Sequence, residues 1–415
     1  MNYSSGNTYK RDLISKLFFL LIFFFPLLPT YLINSQIHIN ILVFTLSLIY
    51  LAFFSFGEYN WLKKIVVLYY FSLQFIITFS LLEDASGDDF SFLSFLSYLR
   101  PTMLLIITLA ACRMLDKSDF YKGKLIFFIA LISLLYVLIE LFLTSFFSDF
   151  IFFLYKRDFR FELIHSGVAF FGTTYYSGYS FLILFYLSIV NYELYNKNKI
   201  GVFCIISFFA LVLLAQSKTI FLAVFISLFV YFIFKVKNAF FKILLFLTPL
   251  FLVVMLYLYM ELIVSFLFST DLTSLKSLAT LMNGAEESGS LNVRNEQIMF
   301  SFNMAMEKNL VFGAGLGRQE SLESLPAAYL FRYGLIGLTL FLLLTIFIIF
   351  YSLKSLFLYS EYKVKVYSLI VFMWGITLPL TQLSGVMIEQ SKMSFLSAIM
   401  LGVLVKISSG KKNEN

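Results

Sequence analysis

The sequence predicts an all-α, polytopic integral membrane protein with about twelve transmembrane helices, and three observations support this fold class. First, hydrophobic residues make up 60% of the 415-residue chain, with mean hydropathy +0.89, and only 13% of residues are charged. Soluble domains carry about 25% charged residues. Second, the chain contains 54 Phe residues, more aromatic surface than a soluble core could enclose. Third, apolar runs of membrane-spanning length recur from end to end.

Twelve apolar segments have near-spanning length. They cover residues 17–34, 39–56, 65–82, 97–114, 125–147, 175–191, 200–215, 219–234, 243–262, 328–352, 366–382 and 393–407. The segments 200–215 and 219–234 are short and closely joined, so they are the least secure. The basic residues before the first segment resemble the start of a signal peptide, but no small-residue cleavage site follows. A retained first helix is therefore expected.

The distribution of Lys and Arg predicts the orientation. With the N-terminus placed in the cytoplasm, 20 of the 31 Lys and Arg residues fall on the cytoplasmic side. This bias holds in every short loop, as the positive-inside rule requires. Both termini are therefore expected in the cytoplasm. The net charge of +7 then reflects membrane topology, and nucleic acid is not an expected partner.

The chain is expected to form one polytopic domain over residues 1–415, with outer loops at about 148–175 and 261–327. The longer loop contains an apolar pattern that predicts an amphipathic helix ending near Lys308, with glycines at its stop. Cys112 and Cys204 lie in apolar runs and are interpreted as membrane-embedded thiols. No HExxH or Cys/His grouping occurs, so no protein-bound metal is expected.

Cations on the predicted outer side are the first candidates for chemistry. They are Arg157, Arg160, Lys218, Arg294 and Arg318. A single outer cation is usually a snorkelling residue or a contact to a lipid headgroup. Several cations in loops that could converge would suit a diphosphate, which the planar guanidinium of Arg binds in a two-pronged geometry.

Three alternating glycines, Gly313, Gly315 and Gly317, precede Arg318. Such glycines can bring backbone amides to a phosphate. The pattern lacks the Lys-Ser or Lys-Thr of a phosphate-binding loop, so a tight turn beside the membrane is the stronger interpretation. In either case the loop would bring Arg318 to the membrane edge.

A general base could come from His165 or from an outer carboxylate, and the sequence does not choose between them. The outer carboxylates are Asp158, Glu162, Glu296, Glu320, Glu323 and Glu389. Most of these are expected to be solvated loop charges. Glu140 lies within a predicted span, where an ionisable group is costly unless it is paired or functional. A packing role and a functional role are equally supported for Glu140.

Three stretches resemble motifs of the O-antigen polymerase and ligase superfamily. In "RNEQIMFSFNMAMEKNLVFGAGLG", Arg294 and the three glycines match an Arg and a glycine cluster before a span. In "LVLLAQSKTIFLAVFISLF", Lys218 stands where the family commonly has Arg after Ser. In "RFELIHSGVAFFGTTYYSGYSF", Arg160 and Gly172 match more loosely. The motifs are short, but the topology with a large late outer loop also fits.

The resemblance implies a membrane glycosyltransferase-like fold in the bacterial inner membrane. It implies polymerisation of oligosaccharide repeat units carried on undecaprenyl diphosphate, at the periplasmic face. Arg294, Arg160 and His165 are then the candidate catalytic residues. The candidate substrate-binding residues are Lys218, Arg318, Arg157, Gly313, Gly315 and Gly317. The donor is already activated, so no cofactor is required in principle.

Two alternatives remain at this point. A ligase would transfer the finished glycan to lipid A-core, but the family's ligases carry a His after the glycines, and residues 317–330 contain none. A lipid-linked oligosaccharide flippase or other transporter would suit twelve spans, but no internal repeat is visible. The expected partners are the lipid bilayer and the lipid-linked oligosaccharide. A chain-length regulator and a flippase are candidate protein partners.

Overall fold

The computed structural model describes most of the chain. The described residues are 3–24, 39–54, 60–84, 92–117, 124–147, 166–171, 173–195, 197–238, 240–244, 247–248, 258–269, 289–317, 320 and 322–407. The regular elements of these residues are helices, as the composition predicts.

The helices are labelled in chain order. They are α1 (Tyr3–Phe24), α2 (Ile39–Phe54), α3 (Trp61–Leu82), α4 (Phe92–Tyr98), α5 (Arg100–Lys117), α6 (Lys124–Phe146), α7 (Thr174–Leu194), α8 (Lys199–Leu214), α9 (Lys218–Lys235), α10 (Met260–Ser269), α11 (Gly289–Glu307), α12 (Leu325–Leu358), α13 (Tyr362–Gln382) and α14 (Ser391–Ile407). Short 3₁₀ turns occur at Ala169–Phe171 and Met387–Glu389.

Polar residues fix where several helices begin. The side chains of Asn60, Thr173 and Asn198 accept hydrogen bonds from the first-turn amides of α3, α7 and α8. Each cap satisfies one of the backbone N–H groups that have no partner within the helix. These polar residues interrupt long apolar runs, and they convert a continuous hydrophobic sequence into separate helices.

The helices follow the predicted spans closely. Within the described residues, a helix overlaps every predicted span. The predicted span 243–262 falls mostly outside the description, and α10 overlaps it only from Met260. α1 begins earlier than predicted, at Tyr3, and overlaps the predicted span 17–34 only up to Phe24. α12 runs beyond the predicted 328–352 at both ends. The short helix α4 was not predicted, because seven residues carry too little periodicity.

Five of the described helices, α3, α6, α9, α12 and α13, are long and apolar enough to cross a membrane. Three shorter apolar helices cover Ile41–Phe54, Lys199–Leu214 and Met393–Ile407. On α3, Leu68 and Phe71 are 64% and 66% exposed, whereas Leu73 is fully buried. Large apolar side chains pointing outward are expected where lipid is the solvent. The chain is therefore consistent with a helical membrane protein, as predicted.

The interior is built around α7 and α13. In the apolar window of α13, 72% of residues are buried, against 22–39% for the other four candidate spans. Polar side chains tie the interior together. The hydroxyl of Tyr186 on α7 is hydrogen-bonded to Ser227 (2.5 Å) and Thr377 (3.1 Å). Because lipid offers no hydrogen-bond partners, such groups must be satisfied between helices.

The two ends of the helix bundle are distinguished by the contacts that helix termini make there. At one end, the Lys63 ammonium lies 3.1 Å from Asp116, and Lys235 lies 2.6 Å from Glu193. We call this the lysine end. At the other, the amide of Gly315 donates to Ser80 (2.9 Å). We call this the glycine-loop end. Residues that the charge pattern assigns to one side of the membrane thus meet at one end of the bundle.

Candidate functional site

The glycine loop, residues 309–317, connects α11 to the region before α12. α11 ends at Glu307, close to the predicted end at Lys308. The side chain of Asn309 accepts hydrogen bonds from the amides of Val311 (3.1 Å) and Phe312 (3.0 Å). The turn that follows α11 is therefore made by an asparagine, where the sequence predicted that glycines would end the helix. The glycines serve a different contact further along the loop.

That contact is made with a break in α12. Gly334 has φ 59° and ψ −160°, which interrupts the helix after Tyr333. The glycine loop pairs with the backbone groups around the break. The bonds are Leu335 N to Leu310 O (3.0 Å), Ile336 N to Val311 O (3.3 Å) and Ala314 N to Phe331 O (2.7 Å). An interrupted helix within a membrane protein needs such partners for its freed polar groups.

The backbones approach so closely that glycine is required. A Cβ on Gly334 would lie 2.4 Å from the carbonyl oxygen of Val311, and one on Gly313 would lie 2.5 Å from that of Phe331. Gly315 would place a Cβ 2.2 Å from the Asp84 carboxylate. All three glycines also have positive φ, which other residues adopt at a cost. Gly313 and Gly315 thus have packing roles.

A polar cavity of about 330 Å³ opens beside the end of this loop. Its walls combine aromatic, amide, hydroxyl and charged side chains. They are Ser97, Arg100, Tyr175, Tyr176, Leu316, Gly317, Glu320, Leu322, Glu323, Arg332 and Gln390. Of the predicted glycines, Gly317 is the one that lines the cavity. Concave sites with a few convergent polar groups are the usual location of ligand binding.

Two arginines in the cavity wall share one buried carboxylate. Glu389 accepts from Arg332 (2.8 Å) and Arg100 (3.3 Å) through one oxygen and from the Tyr333 hydroxyl (3.2 Å) through the other. Its side chain is 0% exposed. Arg332 also donates to the carbonyl of Leu316 (3.2 Å). Two cations on one carboxylate leave one positive charge in excess, next to the cavity.

A second cation pair lies at the same end of the bundle. Lys218, the first residue of α9, is close enough to Arg294 on α11 to interact with it electrostatically. The Nε atom of Arg294 is buried and has no hydrogen-bond partner among the described residues. A buried charged donor without a partner is costly. The convergence of the outer cations at a diphosphate stays a prediction.

The buried face of α11 differs from the predicted amphipathic one. Ser301 and Ala305 are buried and Arg294 is partly buried on the face turned to the bundle, whereas Met299 and Met306 are 59% and 57% exposed. The sequence pattern suggested that the large apolar residues would pack inward. The helix instead turns its small and polar residues inward, because α12 approaches it there and Phe300 stacks on Phe331.

Hydrogen bonds connect the cation pair to the cavity from two sides. On the α11 side, Gln297 lies one turn after Arg294 and accepts from the amide of Glu323, a cavity residue (3.0 Å). On the α9 side, Thr219 is hydrogen-bonded to Ser384. The next residue, Gly385, packs closely on the ring of Tyr175 in the cavity wall. The two cationic features therefore belong to one region.

Glu140 has a packing role. Its buried carboxylate accepts from the amides of Val168 (3.1 Å) and Ala169 (2.7 Å). In the same segment the Gly167 amide donates to the carbonyl of Leu214 (2.7 Å), close to the start of α9. The carboxylate thus fixes the chain directly before α7, and a functional role for Glu140 has no further support.

Several predicted site residues lie outside the described residues. They are Arg157, Arg160, His165, Arg318, Asp158, Glu162 and Gly172. Among the described acids, Glu320 and Glu323 line the cavity, and Glu296 is exposed on α11. Glu389 is fully committed to its arginines and Tyr333, which leaves Glu320 and Glu323 as the described carboxylates best placed to accept a proton.

The sequence analysis missed Arg100, Arg332 and Tyr333. Arg332 stands inside the apolar run that becomes α12, where an ionisable side chain is costly unless it is paired or functional. That signal alone could have identified it. Arg100 carries no comparable signal, because it begins a predicted span where snorkelling arginines are common.

No group of His, Cys, Asp and Glu able to hold a metal occurs among the described residues. Comparison of the chain with protein-family models, with curated proteins and with solved structures finds no match.

Gly334→Ala is expected to destabilise the protein by at least about 2 kcal/mol. The alanine must adopt a left-handed backbone conformation, and its Cβ meets a carbonyl that is held by hydrogen bonds to the break. The measurement is the thermal unfolding midpoint of the purified protein in detergent.

Gly178→Ala on α7 is the matched control, because Gly178 has helical backbone and its Cβ would meet only side-chain atoms of Ile220, the nearest at 3.2 Å. This variant should shift the midpoint little. Equal midpoints for the two variants would contradict the close-approach argument.

Glu389→Gln is expected to destabilise the protein by about 3 kcal/mol, because it leaves two neighbouring arginines without their buried countercharge. Adding Arg100→Gln to this variant should recover part of the loss, since one uncompensated charge is removed. The unfolding midpoints of the single and double variants test the coupling. A double variant no more stable than Glu389→Gln would show that charge balance is not the cause.

Proposed function

We propose that the protein is a glycosyltransferase that polymerises oligosaccharide repeat units carried on undecaprenyl diphosphate, at the periplasmic face of the bacterial inner membrane. The observation that carries the proposal is the buried Nε of Arg294, without a partner among the described residues, beside Lys218. A partly buried guanidinium with an unpaired donor favours an anionic ligand, which can form a charge-assisted hydrogen bond with it. The diphosphate of a lipid-linked donor is held at the membrane surface by its lipid chain, and it would supply that anion.

The polar cavity fits the acceptor glycan. Tyr175 and Tyr176 offer aromatic surface, and Arg100, Arg332 and Gln390 offer hydrogen-bond donors. The cavity adjoins the cation pair through Glu323 and Gly385, so an acceptor held there would lie beside a donor diphosphate. Holding both substrates in reacting geometry supplies a large part of the rate enhancement in such transfers.

The reaction joins the acceptor to the donor sugar. An acceptor hydroxyl oxygen attacks the anomeric carbon, and the bond from that carbon to the diphosphate oxygen breaks. The hydroxyl proton passes to a carboxylate or to His165, and the lipid diphosphate leaves with its electron pair. Preorganised cations stabilise the negative charge that develops on the leaving oxygen. Arg294 and Lys218 are suited to this task, with Arg160, Arg157 and Arg318 as further candidates.

Arg294→Ala is expected to abolish polymer while the protein still inserts and accumulates. Arg294→Lys should restore only part of the activity, because an ammonium cannot form the two-pronged contact of a guanidinium. The measurement is the ladder of glycan lengths on cells that express each variant at matched levels.

Lys308→Ala is the matched control, since it removes an exposed cation just beyond the same helix. It should give a normal ladder. A normal ladder from Arg294→Ala would remove this residue from the mechanism.

The same ladder separates the alternatives in cells that lack the protein. Loss of polymer with one repeat unit retained on the surface indicates a polymerase. Accumulation of lipid-linked polymer with no surface glycan indicates a ligase. Single lipid-linked units retained on the cytoplasmic side indicate a flippase. The proposal requires the first of these patterns.

The proposed orientation predicts that both termini are cytoplasmic and that residues 261–327 are periplasmic. Reporter fusions at Asn283 and after Asn415 test this directly, using one reporter active only in the cytoplasm and one active only outside it. The Asn283 fusion should give the outer signal and the C-terminal fusion the inner one. An outer signal from the C-terminal fusion would refute the twelve-span arrangement.

A further inference from the structure

A second cavity, also of about 330 Å³, lies at the lysine end of the bundle, between α7, α9, α12 and α13. Unlike the cavity at the glycine-loop end, its walls are mainly apolar. They include Ile189, Phe234, Leu356, Phe357 and Ile370. Phe357 is 71% exposed, so the apolar wall continues onto the outer surface of the bundle. A hydrocarbon chain could enter from the side.

Cations predominate among the charged residues of this cavity. Lys235, Lys237 and Lys365 line it together with one carboxylate, Glu193. Lys235 is committed to Glu193 at 2.6 Å. Lys237 and Lys365 are exposed, and neither forms an ion pair with a carboxylate in the part of the chain that the structure describes. Two positive charges therefore remain at the opening of this mainly apolar cavity.

A hydrogen-bonded cluster around Glu193 joins the helices that form the wall of this cavity. Tyr231 of α9 and Tyr362 of α13 both donate to its carboxylate, and the Lys235 ammonium lies 5.5 Å from the centre of the Tyr362 ring. These contacts join three helices at one point. The space beside them is consequently bounded by packed helices, and Lys237 borders it from just beyond the end of α9.

We propose that this cavity binds a phospholipid with an anionic headgroup. The acyl chain would lie against Phe234, Leu356 and Phe357, and the headgroup phosphate would lie between Lys237 and Lys365. A water-soluble anion would gain nothing from the apolar walls, and a zwitterionic lipid would gain less from the lysines, because its own cationic group offsets the charge of its phosphate. The charge pattern places this end in the cytoplasm, where the inner leaflet carries anionic lipids. The site is separate from the proposed glycan chemistry.

The test is a titration of the purified full-length protein in detergent, followed by native mass spectrometry. The two probes are phosphatidylglycerol and phosphatidylcholine with identical acyl chains. Phosphatidylglycerol should bind in a saturable manner and phosphatidylcholine much more weakly. The double variant Lys237→Gln/Lys365→Gln should lower the affinity for phosphatidylglycerol about thirtyfold, from the usual contribution of each lysine beside an anionic headgroup.

Two further variants separate a specific cavity from general surface charge. Lys64→Gln/Lys124→Gln removes two exposed cations that do not line the cavity, and it should change the affinity less than about threefold. Leu356→Trp fills the cavity while keeping both lysines, and it should prevent saturable binding.

Equal binding of the two lipids by the unmodified protein would overturn the proposal. So would an equal loss of affinity in the two double variants, or unchanged binding by Leu356→Trp. No glycan substrate enters the experiment, so its outcome is independent of whether the protein is a polymerase.

Discussion

The close backbone approach between the glycine loop and the break in α12 is the constraint on which the site depends. Gly313 and Gly334 allow two chain segments to pair where any side chain would collide. The pairing lets an apolar helix be interrupted without leaving unsatisfied polar groups. It also fixes Arg332 and Gly317 in the wall of one cavity. Loss of this contact would therefore disturb stability and site geometry together.

Charge is arranged differently at the two ends of the bundle. At each end one buried carboxylate gathers cations from several helices: Glu389 binds Arg100 and Arg332, and Glu193 lies beside Lys235 and Lys197. Cations exceed carboxylates within both clusters. The cavity at the glycine-loop end is polar and the cavity at the lysine end is mainly apolar, so similar charge clusters lie beside cavities of different chemistry.

Arg294 and Arg332 show two ways of accommodating a guanidinium beside a membrane. Arg332 is satisfied by Glu389 and by the carbonyl of Leu316, so it is rigid and suited to shaping a cavity. The Nε of Arg294 has no such partner among the described residues, so an incoming anion would gain the full strength of a charge-assisted bond. Under the proposed function, this difference would suit Arg294 to the leaving diphosphate and Arg332 to the acceptor side.

The sequence by itself determined the helical membrane class and most helix positions, because hydropathy and short polar motifs are local properties of the chain. It also suggested that the glycines make a tight turn. Only the tertiary structure showed that Arg100, Arg332 and Glu389 form one cluster, since these residues are up to 289 positions apart. The inward face of α11 was likewise decided by packing, since Ser301 and Ala305 are buried there while Met299 is exposed.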